Sequence, residues 1–219
     1  MRSKRIICFV GAGGKTTVMY ALAKAWTSKG VRVLVTTTTH IWEPAENYAA
    51  NLNEACKLWQ QGKYAVVGQK EQGTGKLIAL QEEELDKYIE FAEVVLVEAD
   101  GAKGLPCKVP RQGEPVILAN CDTVVGLFGM DALDQPMQKI CFRIDQACAL
   151  LGVEPEHILQ LEDAANLLCH EQGTRKQVGE RDFYLVLNKC ESEEQGEKLK
   201  NLLMKRGIPK ERIIIYEKR

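Results

Sequence analysis

The chain has 219 residues, 45% of them hydrophobic, enough to bury one sizeable core without division into domains. Twenty-nine basic against thirty acidic side chains leave a formal charge of −1, which excludes a global field suited to nucleic acid or to an anionic membrane surface. With no secretory signal, no apolar run long enough to span a bilayer, and eight cysteines without a CxxC pair, the chain is expected in a reducing cytoplasm with its thiols free in the core.

The first apolar run, 5 to 10, enters Phe9-Val10-Gly11-Ala12-Gly13-Gly14-Lys15-Thr16-Thr17. This reads as a strand feeding a phosphate cradle. Gly11, Ala12, Gly13 and Gly14 offer backbone N–H groups to an anion, Lys15 reaches the outer phosphates, and Thr16, followed by Thr17, offers a hydroxyl to Mg²⁺. The full GxxxxGK[ST] pattern fails at its first glycine, where Phe9 stands. The shortened loop resembles those of Mur-type ligases. Residues 15 to 29 carry apolar positions at helical spacing up to Gly30, and the helix directs its positive end at the same anion.

The second β-branched run, 31 to 37, closes in Val35-Thr36-Thr37-Thr38-Thr39-His40. Its hydroxyls are placed to line the catalytic edge, and His40 is a candidate base, metal ligand or substrate contact, with a solvated loop histidine as the alternative. Helical patterns at 48 to 61 and 81 to 91 flank a run at 63 to 68. The run at 93 to 99 then delivers Glu98 and Asp100, where an NTPase requires an acid for Mg²⁺ or its waters. Two residues apart on an extended strand, these carboxylates face the same way.

Residues 101 to 116 hold three prolines and three glycines and read as a functional loop. Its Lys103, Lys108 and Arg111 gather positive charge for a second anionic small molecule or for transition-state charge, and Cys107 becomes a reactive thiol if those cations depress its pKa, inert otherwise. A run at 121 to 127 is followed by helical spacing from 143 to 172, read as an inserted helical subdomain. The run at 182 to 188 ends in Asn188-Lys189-Cys190-Glu191, which resembles the NKxD base-recognition motif with Glu191 in place of the acid. A helix over 191 to 206 and a run at 211 to 216 complete the chain. The expected fold is α/β: one P-loop NTPase-like domain over 1–219, with a mostly parallel sheet of about seven strands, helices on both faces, and the helical insertion at 143–172.

GAGGKTT at 11 to 17, VTTTTH at 35 to 40, VLVEADGAKGLPCKVP at 95 to 110, VVGLFGMDAL at 124 to 133 and LNKCE at 187 to 191 together resemble the YqeC family across nearly the whole chain. That resemblance implies an accessory protein for a selenium-dependent molybdenum hydroxylase, which would be its partner. Glu98-Ala99-Asp100-Gly101 with the NKxE element also resembles the ExxG and NKxD pair of CobW-like metal-cofactor GTPases. Carried over, Lys15 and Thr16 would bind phosphate and Mg²⁺, Glu98 or Asp100 would complete the metal shell, and Asn188 and Glu191 would face the base of ATP or GTP. The expected activity is that of an NTP hydrolase or phosphotransferase with Lys15, Asp100 and His40 as catalytic candidates. A small-molecule kinase, a Mur-type ligase and a nucleotide-gated chaperone of low turnover are the alternatives.

Overall fold

The computed structural model describes residues 4–217. From the amino end come β1 (Arg5–Gly11), α1 (Lys15–Thr27), β2 (Val33–Thr37), β3 (His40–Trp42), α2 (Leu52–Gln60), β4 (Ala65–Val66), β5 (Gln69–Glu71) and β6 (Lys76–Ile78). Next are α3 (Glu82–Phe91), β7 (Val94–Glu98), β8 (Cys107–Lys108), β9 (Thr123–Gly129), α4 (Met137–Ile140) and β10 (Cys141–Phe142). Then follow α5 (Ile144–Leu151), α6 (Leu161–Cys169), β11 (Asp182–Cys190), α7 (Glu193–Lys205) and β12 (Ile213–Glu217).

Seven of these strands form one sheet in the order β12-β11-β9-β1-β7-β2-β4, and each overlaps one of the seven apolar runs of the sequence. Pairings of β1 with β7, β7 with β2, β2 with β4 and β11 with β12 are parallel. Strands β2 and β7 are buried at every position. Such unbroken burial requires cover on both faces, which is why these segments read as continuous apolar runs and not as alternating ones. The fold is therefore mixed α/β and P-loop NTPase-like.

Contacts divide the chain into two compact units. The first comprises residues up to Phe9, Thr16–Gly101 and Val116–Thr123. In it, the register sets Phe9 and Thr37 both level with Glu98, so β2 and β7 reach their carboxyl ends in one row beside Phe9. Trp59 of α2 fixes the opposite end by donating its indole N–H to the carbonyl of Val33 at 2.9 Å. The same unit carries a second, three-stranded antiparallel sheet, β3-β6-β5, which no apolar run announces. Its strands are three residues long and mostly polar, so only pairing defines them.

The second unit comprises Val10–Lys15, Ala102–Pro115 and Val124 onward. Helix α7 begins at Ser192, whose hydroxyl accepts the Gln195 N–H at 3.3 Å, a cap worth about 1 kcal/mol. Helices α5 and α6 lie within the 143–172 segment; α5 closes on Gly152 at φ +70°, a conformation that costs glycine nothing. The 102–115 segment is irregular apart from β8, which pairs in parallel with β10.

Candidate functional site

In the second unit the glycine-rich turn is wedged against its neighbours. Gly11, Gly13 and Gly14 adopt φ of +86°, +86° and +112°, conformations closed to ordinary side chains. A Cβ on Gly11 would stand 2.5 Å from the Leu127 carbonyl oxygen, one on Gly13 2.1 Å from the Gly129 nitrogen, and one on Gly14 2.5 Å from Asn188 Nδ2. Each glycine is needed for close approach as well as for the turn. The N–H groups of Ala12 and Gly13 do not face an open cradle: they bond the carbonyls of Leu127 at 3.0 Å and Leu105 at 3.2 Å. Helix α1 starts directly after this turn, and the first N–H groups of a helix have no acceptors within it. Lys15 is 4% exposed and its ammonium donates to the Gly11 carbonyl at 2.6 Å, folded over its own loop.

Asn188 is buried and donates its amide to the Gly13 carbonyl at 2.6 Å, tying the end of β11 to the turn. Lys189 takes a left-handed φ of +60° and pairs with Asp131 at 2.7 Å, while Glu191 is exposed just beyond the strand. The register of β11 with β12 shifts between Asn188 and Cys190, so Lys189 sits at an irregularity that the tetrapeptide alone does not reveal.

In the first unit Thr16 Oγ1 donates to Glu98 Oε2 at 2.7 Å, joining the hydroxyl and the acid expected to hold Mg²⁺. Glu98 is 7% and Asp100 1% exposed, but β7 stops at Glu98, so strand alternation does not by itself orient Asp100. The threonine run does more structural work than expected. Thr37 Oγ1 and the Thr38 N–H both bond the Glu98 carbonyl, at 2.9 and 3.1 Å, and Thr38 Oγ1 bonds the Val116 carbonyl at 2.7 Å. Two of the four hydroxyls thus staple strand ends rather than line an edge; Thr36 Oγ1 is buried with no hydrogen-bond partner. His40 opens β3, is exposed, and has Nε2 3.6 Å from Glu71 Oε1. Tyr20, one turn beyond Thr16 on α1, was not singled out by its sequence context. Burial, then Tyr64 and Glu98, push its phenol well above the usual range, and its hydroxyl is buried without a partner.

The 101 to 116 loop corrects one expectation, on its cations, and bears on one left open, on Cys107. Lys108 is not free to receive an anion on its own, because Glu114 holds it with Nζ 2.9 Å from Oε2; Arg111, on a largely exposed side chain, engages the same carboxylate through Nε, 3.2 Å from Oε1. Arg143, on the far side in sequence, joins them at 3.3 Å from Oε1. Cys107 is the reverse of an activated thiol. It is Cα-paired with Cys141, and the hydrogen bond between the two thiols, with burial, pushes it well above the usual thiol range. In native protein at pH 8, iodoacetamide followed by mass spectrometry is expected to label half-exposed Cys56 and to spare Cys107; comparable labelling would contradict the buried pairing.

Glu114 has a pH signature. Burial opposes its charge, but hydrogen bonds and charge from Lys108 and Arg143 outweigh that and hold its carboxyl below the usual range. A carboxyl depressed in the folded state contributes stability above its unfolded pKa of about 4, and loses it as pH falls through the lower folded value. The difference in urea midpoint between the parent and Glu114→Gln is therefore expected to be full at pH 6 and to shrink below pH 4. A difference independent of pH would show that the carboxylate's charge is immaterial.

Among the described residues, no group of three or more His, Cys, Asp or Glu is arranged to hold a metal, and no helix is long and apolar enough to cross a membrane. The eight cysteines, all among the described residues, are not joined in disulfides.

A sheet whose inner strand β1 delivers three left-handed glycines, a lysine and a threonine to a helix start defines a protein of P-loop NTPase-like fold. Within that class, residues 7–145 match the family described as YqeC protein. The chain is also 33% identical over 183 residues, 79% of its length and 71% of the relative's, to a protein of Escherichia coli (strain K12) named Uncharacterized protein YqeC. The chain belongs to the YqeC family.

Proposed function

We propose that this protein binds ATP or GTP as its Mg²⁺ complex at Gly11–Thr17 and serves as an accessory factor in the maturation of a selenium-dependent molybdenum hydroxylase. The hydrogen bond of 2.7 Å from Thr16 to Glu98 carries the nucleotide reading. A P-loop holds Mg²⁺ with its hydroxyl and a strand-end acid, the remaining ligands being phosphate oxygens and water. A site of that kind needs no ready-made cluster of protein ligands. Lys15 would turn from the Gly11 carbonyl to the phosphates, and buried Asp100 would complete the shell of metal-bound water. Catalysis would consist of positioning and charge stabilisation, with no covalent step by the protein. The link to the hydroxylase is supported by the family resemblance alone.

Calorimetric titration with ATP and with GTP, each with and without Mg²⁺, tests the nucleotide reading. Mg²⁺ is expected to raise affinity at least about ten-fold in the parent and to add little in Glu98→Gln, which keeps an acceptor for Thr16 but loses the charge. Binding that ignores Mg²⁺ in the parent would reject it. For the accessory role, turnover is expected to rise when the purified hydroxylase is added. Ready phosphorylation of a small molecule without it would favour a kinase.

A further inference from the structure

Within the second unit, cations converge on one aromatic ring. The Arg143 guanidinium carbon lies 4.3 Å from the centre of the Phe142 ring, Lys103 Nζ 5.4 Å and Lys108 Nζ 5.7 Å. Arg111 joins through Glu114, the carboxylate it shares with Lys108 and Arg143. Three of these cations thus pair with one carboxylate and the fourth, Lys103, lies over the ring, a net of +3 for the group, and counting Asp145 at the start of α5 still leaves +2. Only part of this charge is internal to the fold. Lys108 has no exposed side-chain surface and is matched by Glu114, whereas the Arg111 and Arg143 side chains are 58% and 27% exposed and Lys103 is exposed.

Three features indicate that this group is organised to hold something. The Nε of Arg143 is buried and has no hydrogen-bond partner. Lys103 and Arg143 both take left-handed φ, +49° and +68°, which side-chain-bearing residues adopt at a cost and keep where a site requires it. The ring and the shared carboxylate restrain charges that repel one another, so the excess is fixed in place rather than dispersed. Planar guanidinium forks match the oxygens of phosphate and similar oxyanions.

We propose that Lys103, Arg111 and Arg143, arranged around Phe142 and Glu114, form a second anion site that takes a small molecule bearing a phosphate or an equally charged oxyanion. The site goes beyond the nucleotide reading and does not depend on it. It replaces the three-cation loop read from the sequence: Lys108 becomes the buried anchor, and Arg143, from the helical segment, supplies a ligand fork. The loop that bears Lys103 also accepts the Gly13 N–H at the Leu105 carbonyl, 3.2 Å away, so the anion site and the glycine turn share one hydrogen-bonded segment.

Inorganic pyrophosphate is the probe, titrated calorimetrically into the full chain carrying Lys15→Ala so that the glycine turn does not compete. Saturable binding is expected to persist in Lys15→Ala and to weaken at least ten-fold when Arg111→Gln and Arg143→Gln are added. No saturable binding by Lys15→Ala, or binding that the two arginine changes leave intact, would overturn the proposal. Should the Arg143 change impair folding by circular dichroism, Lys103→Gln with Arg111→Gln, both exposed, is expected to weaken binding in the same way, and an unchanged affinity would overturn it. Nucleotide binding to the parent reads the Gly11–Thr17 proposal separately, so either can fail alone.

Discussion

A Lys15→Ala protein is expected to fold and to lose at least about 100-fold in nucleotide affinity, about 3 kcal/mol, the cost of removing one partner from a buried charge pair. Lys15 is almost wholly enclosed, and an ammonium is a poor occupant of a buried position unless it has a compensating role. Its bond of 2.6 Å to the Gly11 carbonyl offers part of that compensation. Losing a bond of this type changes stability by about 1 kcal/mol, and losing the burial of the charge works in the opposite direction. The melting temperature is therefore expected to move by only a few degrees while calorimetry with Mg²⁺ and ATP or GTP registers the loss. Undiminished affinity would remove the phosphate role from this loop.

The largest effect on stability is expected from Gly13→Ala. Its Cβ would lie 2.1 Å from the backbone nitrogen of Gly129 and 2.5 Å from that residue's Cα, neither of which can swing aside. Overpacking against backbone costs about 1–3 kcal/mol and the left-handed φ of +86° about 1–2 more. The sum, about 2–5 kcal/mol, is a large fraction of the stability of an ordinary domain. Gly30 supplies the control: it has φ +77° but nothing within 4 Å of an added Cβ, so Gly30→Ala is expected to cost only the backbone part. Urea unfolding of the two variants separates the terms. Equal midpoints would mean that the turn is not clamped as described.

The sheet was legible in the sequence to a degree that the site was not. A strand covered on both faces must be apolar at consecutive positions, and β1, β2 and β7 fall where such runs lie. Helix ends were legible for a similar local reason, since Ser192 and Gly207 act on the few residues beside them. The small β3-β6-β5 sheet was illegible because three-residue polar strands have no period to read. Glu114 was unremarkable in a loop rich in glycine and proline. Its importance comes from Arg143, twenty-nine positions away, a pairing that no local pattern encodes.

The sequence by itself determined the strand–turn–helix unit at Gly11–Thr17, the acid at the end of β7 and the family, because each depends on residues adjacent in the chain or on motif order. Tertiary structure decided how those residues are used. It closed the Ala12 and Gly13 amides onto Leu127 and Leu105, set Asn188 against Gly13, stapled Glu98 with Thr37 and Thr38, and turned Cys107 inward against Cys141. Hydrogen-bond partners and local charge are set by whichever elements pack together. Residues far apart in the chain acquire those properties only once the fold has brought them within a few ångströms of one another.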